Sequence, residues 1–310
     1  MPTSDGKLRV LSLCGGGIRG LLSARILVDV EKALGAPLYT HFDMICGVST
    51  GSIIAAGLTK RNPLSAQELV DLYLRKGKDI FSQSFWSKIK NLGNNIGPKY
   101  DGQGLRDALR ATLGDARLED ALVPTFIPAY GIEARDPVFF KSWLPAPVPH
   151  SLVDVCVASS AGPTYFPPAC VNGAWYIDGG TVCNNPSVSG VIEAAMLYKA
   201  HARDCIVLSI GTGIAESPIP HAKAAGWGNL QWVQPLIEIF MDGVSDLSHY
   251  QMADLLPDAQ YLHLQPSLTE AQAAMDNTNP LNMGELLAIA QNTLASNQKP
   301  LLALLGRLSS

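Results

Sequence analysis

Apolar residues along this chain fall into two rhythms. Short, mostly apolar runs occur at Leu8–Leu13, Phe42–Val48 and Cys205–Ile210, each closed by glycine or a polar cluster. Runs of roughly four to eight residues bounded by turn signals predict strands buried on both faces. Between them the spacing stretches to three and four. Leu21, Leu22, Ala24, Ile26, Leu27 and Val30 predict a helix opening at Gly20, which Gly35 and Pro37 end. Ile53–Leu58 opens another, and Gln67–Ile80, Gly104–Leu113 and Ser187–Lys199 are further helical patterns.

The remaining segments complete the order. Thr125–Glu133 and Val138–Trp143 predict a strand pair, with Asp136 and Pro137 in the turn between them. Val153–Ser159 predicts a short helix stopped by Gly162 and Pro163, and Trp175–Ile177 a short strand running into Asp178. Two helices are expected over Leu230–Leu247 and a strand over Gln260–Leu264. A last helix should start at Asn279–Pro280 or Asn282, with Pro300 kinking or dividing it. Buried strands alternating with helices predict an α/β fold with a largely parallel sheet, and such sheets gather chemistry at the carboxyl ends of their strands.

Composition narrows the function. The 310 residues are 47% hydrophobic and carry a net charge of −4, enough for a substantial core and without the basic excess of a nucleic-acid binder. With no linker-like or repeated tract, one domain is expected. Cys14, Cys46, Cys156, Cys170, Cys183 and Cys205 form no C-x-x-C pair and no zinc spacing, so free thiols in a reducing compartment are expected. MPTSDGK has no signal-peptide apolar region, and no run reaches the ~18 apolar residues of a spanning helix. Any membrane contact should be peripheral.

Gly15-Gly16-Gly17-Ile18-Arg19-Gly20 follows the first strand and precedes a helix. It matches G-x-G-x-x-G, but the acidic residue wanted at the end of the next strand is missing: Asp43 lies at that strand's start. A phosphate-binding Walker loop fails for want of Gly-Lys-Ser/Thr. What remains is a set of bare backbone amides at a helix start, suited to a phosphate or a transient oxyanion, or else a plain tight turn.

Gly47-Val48-Ser49-Thr50-Gly51 is a full G-x-S-x-G between a buried strand and a helix, the context of a nucleophile elbow. Ser49 could instead cap the helix, although Ser52 is as well placed to do so. A serine nucleophile needs a base. Of six histidines only His249 and His263 come late enough for a conventional triad; His263 reads better as a sheet-face residue and His249 as a helix-surface one. The other candidate is Asp178, which ends a short strand and is followed by Gly179 and Gly180, although Asp-Gly is also an ordinary turn.

These three motifs, in this order, resemble the patatin-like phospholipases. The block Ala158–Pro168 (ASSAGPTYFPP) and Ser209–Gly213 (SIGTG) extend the resemblance over residues 8–215, with a helical C-terminal part at about 226–310. It implies a three-layer patatin-like fold with a mostly parallel sheet and helices on both faces. It implies a lipid acyl hydrolase working through a Ser49–Asp178 dyad, with an oxyanion loop at Gly15–Gly20 and no metal or cofactor. The amides of Gly16, Gly17 and Ile18 would hold the oxyanion, and Arg19 would brace the loop or meet a lipid phosphate, unless it is a surface arginine. The expected partner is a phospholipid membrane surface, met from the cytoplasmic side. Some compact bacterial members are switched by cyclic nucleotides in anti-phage defence, which makes a cyclic nucleotide activator a further expectation. Cys14 stands where many members have Asp. Ser82–Lys99, with three lysines and Phe85–Trp86, reads either as a solvated loop with one buried aromatic anchor or as a lid or contact for anionic bilayers.

Overall fold

The computed structural model describes residues 6–82, 97–215 and 218–308. Its centre is β1 (Leu8–Leu13), six buried residues. β2 (Met44–Gly47) and β7 (Cys205–Ile210) pair with it in parallel on either side, and β9 (Tyr261–Leu264) pairs in parallel beyond β7. β3 (Thr125–Gly131) continues the parallel run beyond β2. β4 (Asp136–Lys141), β5 (Ala169–Val171) and β6 (Ala174–Asp178) complete an eight-stranded sheet through antiparallel pairings.

β1 alternates strictly, and each face has its own core. Leu11 and Leu13 enter a large cluster with α1 (Gly20–Leu34), α2 (Thr50–Thr59), α3 (Ala66–Ile80), α4 (Gln103–Leu113) and α5 (Leu152–Ser159). Leu8 and Val10 point the other way, against Val191 and Ala194 of α7 (Ser187–Tyr198) and Met252 of α8 (Asn229–Leu255). The fold is therefore three-layered, mostly parallel α/β, with helices on both faces. The C-terminal α9 (Pro280–Ser296) and α10 (Gln298–Leu308) join the first cluster through Leu286, Ala290, Leu301 and Leu304. A four-residue helix, α6 (Gly180–Cys183), and a two-stranded sheet of β8 (Ile214–Ala215) with β10 (Ser267–Leu268) complete the elements used below.

β3 carries the arrangement that matters most. β4 pairs with it from Phe126 to Gly131, filling one edge. A strand has two edges, so β2 and β6 must share the other. β2 takes Thr125 and Phe126 in parallel, and β6 takes Ala129 to Gly131 antiparallel. Their carboxyl ends therefore meet head-on in the gap, near Ile127 and Pro128.

Local expectations were corrected at several points. Asp136 and Pro137 lie inside β4, and the hairpin turns over Ile132–Arg135, with Arg135 at φ 59°. Proline is tolerated because β4 has β3 on one side and, among the described residues, no strand on the other. Residues 229–255 form one helix with Pro235 inside it, not two. The last two helices divide at Asn297, and Pro300 sits in the first turn of α10, where no backbone donor is required. Most of Ser82–Lys99 lies outside the described residues. Among those described, no helix is long and apolar enough to cross a membrane.

Candidate active site

β2 ends at Gly47 and α2 begins at Thr50, so the chain must reverse within two residues. Ser49 absorbs this with φ 53° and ψ −125°, a left-handed backbone for a residue with a side chain. Such a conformation costs about 1–3 kcal/mol and persists only where its surroundings impose it. Here Gly51 N donates to the Val48 carbonyl at 2.8 Å, and Ser52 N and Oγ both donate to the Ser49 carbonyl, at 2.9 and 2.6 Å. Ser49 N donates to Ser159 Oγ at 3.0 Å. Gly51 is obligatory, since a Cβ there would stand 2.2 Å from the Leu13 carbonyl oxygen.

Ser49 occupies the N-cap position of α2, yet its side chain makes no cap bond. Its hydroxyl donates instead to Asp178 Oδ2 at 2.7 Å. Asp178 ends β6, with its amide on the Ala161 carbonyl at 3.0 Å and Oδ1 accepting from Gly180 N at 2.7 Å. Gly179 packs on β3: a Cβ there would approach the Pro128 oxygen to 2.2 Å. The carboxyl group is 3% exposed. Burial pushes its pKa up to about 6, against the downward pull of the Gly180 and Ser49 hydrogen bonds.

The glycine loop closes the site from β1. Gly15 touches the Ser49 turn: its missing Cβ would lie 3.1 Å from Ser49 Cβ. Gly15 N donates to the Asn184 carbonyl at 3.2 Å, and Thr212 Oγ1 donates to the Gly15 carbonyl at 2.7 Å. Ile18 N donates to the Met275 carbonyl at 2.8 Å, so it is not a free donor as the sequence reading had it. The amides of Gly16 and Gly17 have no acceptor among the described residues, and Gly17 lines the same pocket as Ser49 and Asp178. Arg19 is buried, not a surface residue. Its Nε donates to the Gly16 carbonyl at 3.1 Å and Nη1 to the Gly213 carbonyl at 3.2 Å, so it braces the loop. Desolvation lowers its pKa, while Asp242 and Glu238 oppose that fall. Gly20 abuts α2, where a Cβ would meet Thr50 Oγ1 at 2.2 Å; Gly47 likewise lies against the Gly51 carbonyl.

The pocket over these groups is apolar, walled by Ile53, Ile80, Phe81, Leu105, Phe166 and Met241. Its polar corner holds Ser49, Asp178 and Ser160. Cys14 lies beneath the loop, buried, with its thiol pushed up to about 12 by desolvation. It acts as a small packing residue that stays protonated.

His249 and His263 form their own cluster. Their rings lie 4.8 Å apart, His249 Nδ1 is 3.0 Å from Tyr261 Oη and His263 Nδ1 is 2.9 Å from Ser209 Oγ. Burial lowers the His263 pKa to about 4. Neither histidine lines the pocket that holds Ser49. Sequence reasoning missed Ser159, which fixes the Ser49 amide, and Met275, which occupies the Ile18 amide. It also missed Asn184 and Ser160, whose Oδ1 and Oγ are buried without a partner among the described residues. Ser159 and Ser160 lie within Ala158–Pro168, but nothing local says what a serine there will face.

The fold is a three-layered α/β sheet, and at its centre a buried serine hydroxyl meets a buried carboxyl group beside an apolar pocket. The chain belongs to the patatin-like phospholipase family, whose model matches residues 11–189. It is 33% identical to patatin-like protein 2 of Arabidopsis thaliana over 88% of this chain and 79% of that one. It is 32% identical to patatin-like protein 2 of Oryza sativa subsp. indica, over 96% and 86%. A probable inactive patatin of Solanum tuberosum, patatin-3-Kuras 1, is 29% identical over 92% and 86%, so membership alone does not decide activity. VipD of Legionella pneumophila superposes with a TM-score of 0.46 and 12% identity over 96% of this chain and 69% of that one, too loosely to bear on the chemistry.

Proposed function

We propose that the protein hydrolyses fatty-acyl esters of phospholipids through a Ser49–Asp178 dyad. Asp178 takes the Ser49 proton as Oγ attacks the ester carbonyl, and the carbonyl oxygen becomes an oxyanion facing the Gly16 and Gly17 amides. The alcohol leaves with the proton and an acyl-Ser49 remains. Water, giving its proton to the same carboxylate, then releases the fatty acid. A general base contributes on the order of 10²–10⁴ in rate and each oxyanion donor about 10²–10³.

The observation that carries this reading is the 2.7 Å contact between Ser49 Oγ and Asp178 Oδ2, made by a serine at a strained turn and a carboxyl group removed from water. The apolar pocket beside it supports an acyl chain as the group bound. A binding module on the same fold would need neither the strained turn nor the pairing.

A fluorophosphonate probe tests the proposal. Labelling should occur at Ser49 and vanish in Ser49→Ala, and Ser49→Ala and Asp178→Asn should each abolish most release of fatty acid from mixed phospholipids. No labelling, or a fully active Asp178→Asn beside a dead His249→Ala, overturns it. Gating by a cyclic nucleotide rests on the family resemblance alone; the same lipid assay with and without a panel of cyclic oligonucleotides tests it.

A further inference from the structure

α8 spans 27 residues and is amphipathic in an unusual sense. Its inner edge is buried through Met241, Ser245 and Met252. Ile237 and Met241 line the catalytic pocket, and Asn184 Nδ2 ties the helix to the site by donating to the Met241 carbonyl at 3.3 Å. Its outer side is apolar too. Val233, Leu236, Phe240, Leu247 and Tyr250 recur at spacings of three, four and seven, with Gly243 in the gap, so they form one stripe. They are exposed by 38% at Leu236 up to 65% at Tyr250, and Ile239 beside them by 43%. Together these are six of the eighteen large apolar side chains exposed among the described residues. Just before and within the first turns of the helix, Trp227 and Trp232 pack edge to face at 5.0 Å.

Charge narrows what can cover this stripe. α8 holds Glu238, Asp242, Asp246 and Asp254 and no lysine or arginine. The first three recur every four residues, a row of their own beside the stripe, and Glu238 and Asp242 act on Arg19 of the glycine loop. A helix that binds anionic lipid carries lysine and arginine beside its apolar face. This one has aromatic and aliphatic side chains without cations. That composition suits the boundary between head groups and acyl chains of a neutral, zwitterionic surface. The stripe is also continuous, around the same helix, with the residues that wall the acyl pocket.

We propose that the outer stripe of α8 docks the protein on a zwitterionic lipid surface and so sets the pocket at the level from which an acyl chain is taken. The proposal rests on the lipid hydrolase reading for its purpose, but its test reads binding separately from catalysis. Full-length protein is sedimented with phosphatidylcholine vesicles, and the release of fatty acid from the same vesicles is measured beside hydrolysis of a soluble short-chain nitrophenyl ester. In the Phe240→Glu/Leu247→Glu double variant, vesicle partitioning should fall at least about tenfold, since each change removes an apolar side chain from the lipid and adds a charge. Vesicle hydrolysis should fall with it, while the soluble ester is cleaved as before. Phosphatidylserine added to the vesicles should weaken binding of the unaltered protein. If the double variant misfolds, Phe240→Ser read by the same partitioning decides the question.

Unchanged partitioning in the variants overturns the proposal, as does binding that strengthens with phosphatidylserine. A solution dimer that the variants dissociate while vesicle binding stays intact also overturns it, making a second copy the occupant. Loss of all ester hydrolysis and of probe labelling in the unaltered protein would defeat the catalytic reading instead, and the partitioning would still report on the stripe.

Discussion

The Ser159 hydroxyl accepts a hydrogen bond from the Ser49 amide at 3.0 Å and donates one to the Pro128 carbonyl at 2.6 Å. Ser159 ends α5, and its side chain lies in the gap on β3 between the ends of β2 and β6. It ties the strained turn to β3, the strand on which β6 and its terminal Asp178 are registered. In Ser159→Ala both buried groups lose their partner, at about 1–3 kcal/mol each. Melting should drop by several degrees and kcat by about tenfold or more as the turn relaxes. Calorimetry and steady-state kinetics on a soluble ester read both. Wild-type kcat in this variant would mean that the bonds within α2 hold Ser49 unaided.

Asp178 must be ionised to accept a proton, and burial raises its pKa to about 6. The profile of kcat/KM should therefore rise through an acid limb near pH 6 and level off above it. A limb at about pH 4, the ordinary aspartate range, would mean that the carboxyl group is solvated in the working enzyme.

The same shift opposes stability. The folded protein holds the Asp178 proton more tightly than the unfolded chain does. Folding stability from this group is therefore greatest below pH 3.8 and declines as pH rises towards 6. Above that window the ionised carboxylate costs up to about 3 kcal/mol. Asp178→Asn, whose Oδ1 can accept from Gly180 N while its Nδ2 donates to the Ser49 hydroxyl, should be inactive yet melt at a higher temperature than the parent at pH 7.5, with the difference shrinking below pH 4. Denaturant titrations at the two pH values check this; an Asp178→Asn variant less stable than the parent at pH 7.5 contradicts it.

Gly16 leaves no room for a methyl group. A Cβ would lie 2.1 Å from Thr212 Oγ1 and 2.6 Å from Thr212 Cβ, and Thr212 is itself bonded to the Gly15 carbonyl. Gly16→Ala must displace the loop and with it the two unoccupied amides. Ester hydrolysis should fall by about 10²–10³. Gly306→Ala in α10, where a Cβ meets nothing within 4 Å, is the control: unchanged activity and stability raised by about 0.5–1 kcal/mol. Equal effects of the two changes would remove the glycine loop from catalysis.

Motifs whose meaning is local were legible in the sequence. β1 runs Leu8–Leu13 as its apolar run predicts, and the turn after β2 falls at Ser49 because Gly47 and Gly51 bracket it. What escaped depends on contacts far along the chain. The Met275 carbonyl that occupies the Ile18 amide comes from more than 250 residues away, and no spacing near either residue announces it. The β3–β4 turn slipped because Pro137 was read as punctuation, whereas β4, with no strand on its outer side among the described residues, accepts a proline. Pro235 misled in the same way. Proline in a helix interior normally costs about 3 kcal/mol, yet α8 passes through it in a stretch whose side chains face outward on most sides.

The shared edge of β3 makes the distance between Ser49 and Asp178 a matter of sheet registration. β2 and β6 do not pair with each other; each reads its position from the same backbone, like two jaws on one rule. A slip of β6 by one residue would move Asp178 by about 3.3 Å and turn its side chain to the opposite face. Misassembly too slight to unfold the molecule would thus silence it completely, and enzymatic turnover is a finer gauge of correct strand pairing here than any melting curve.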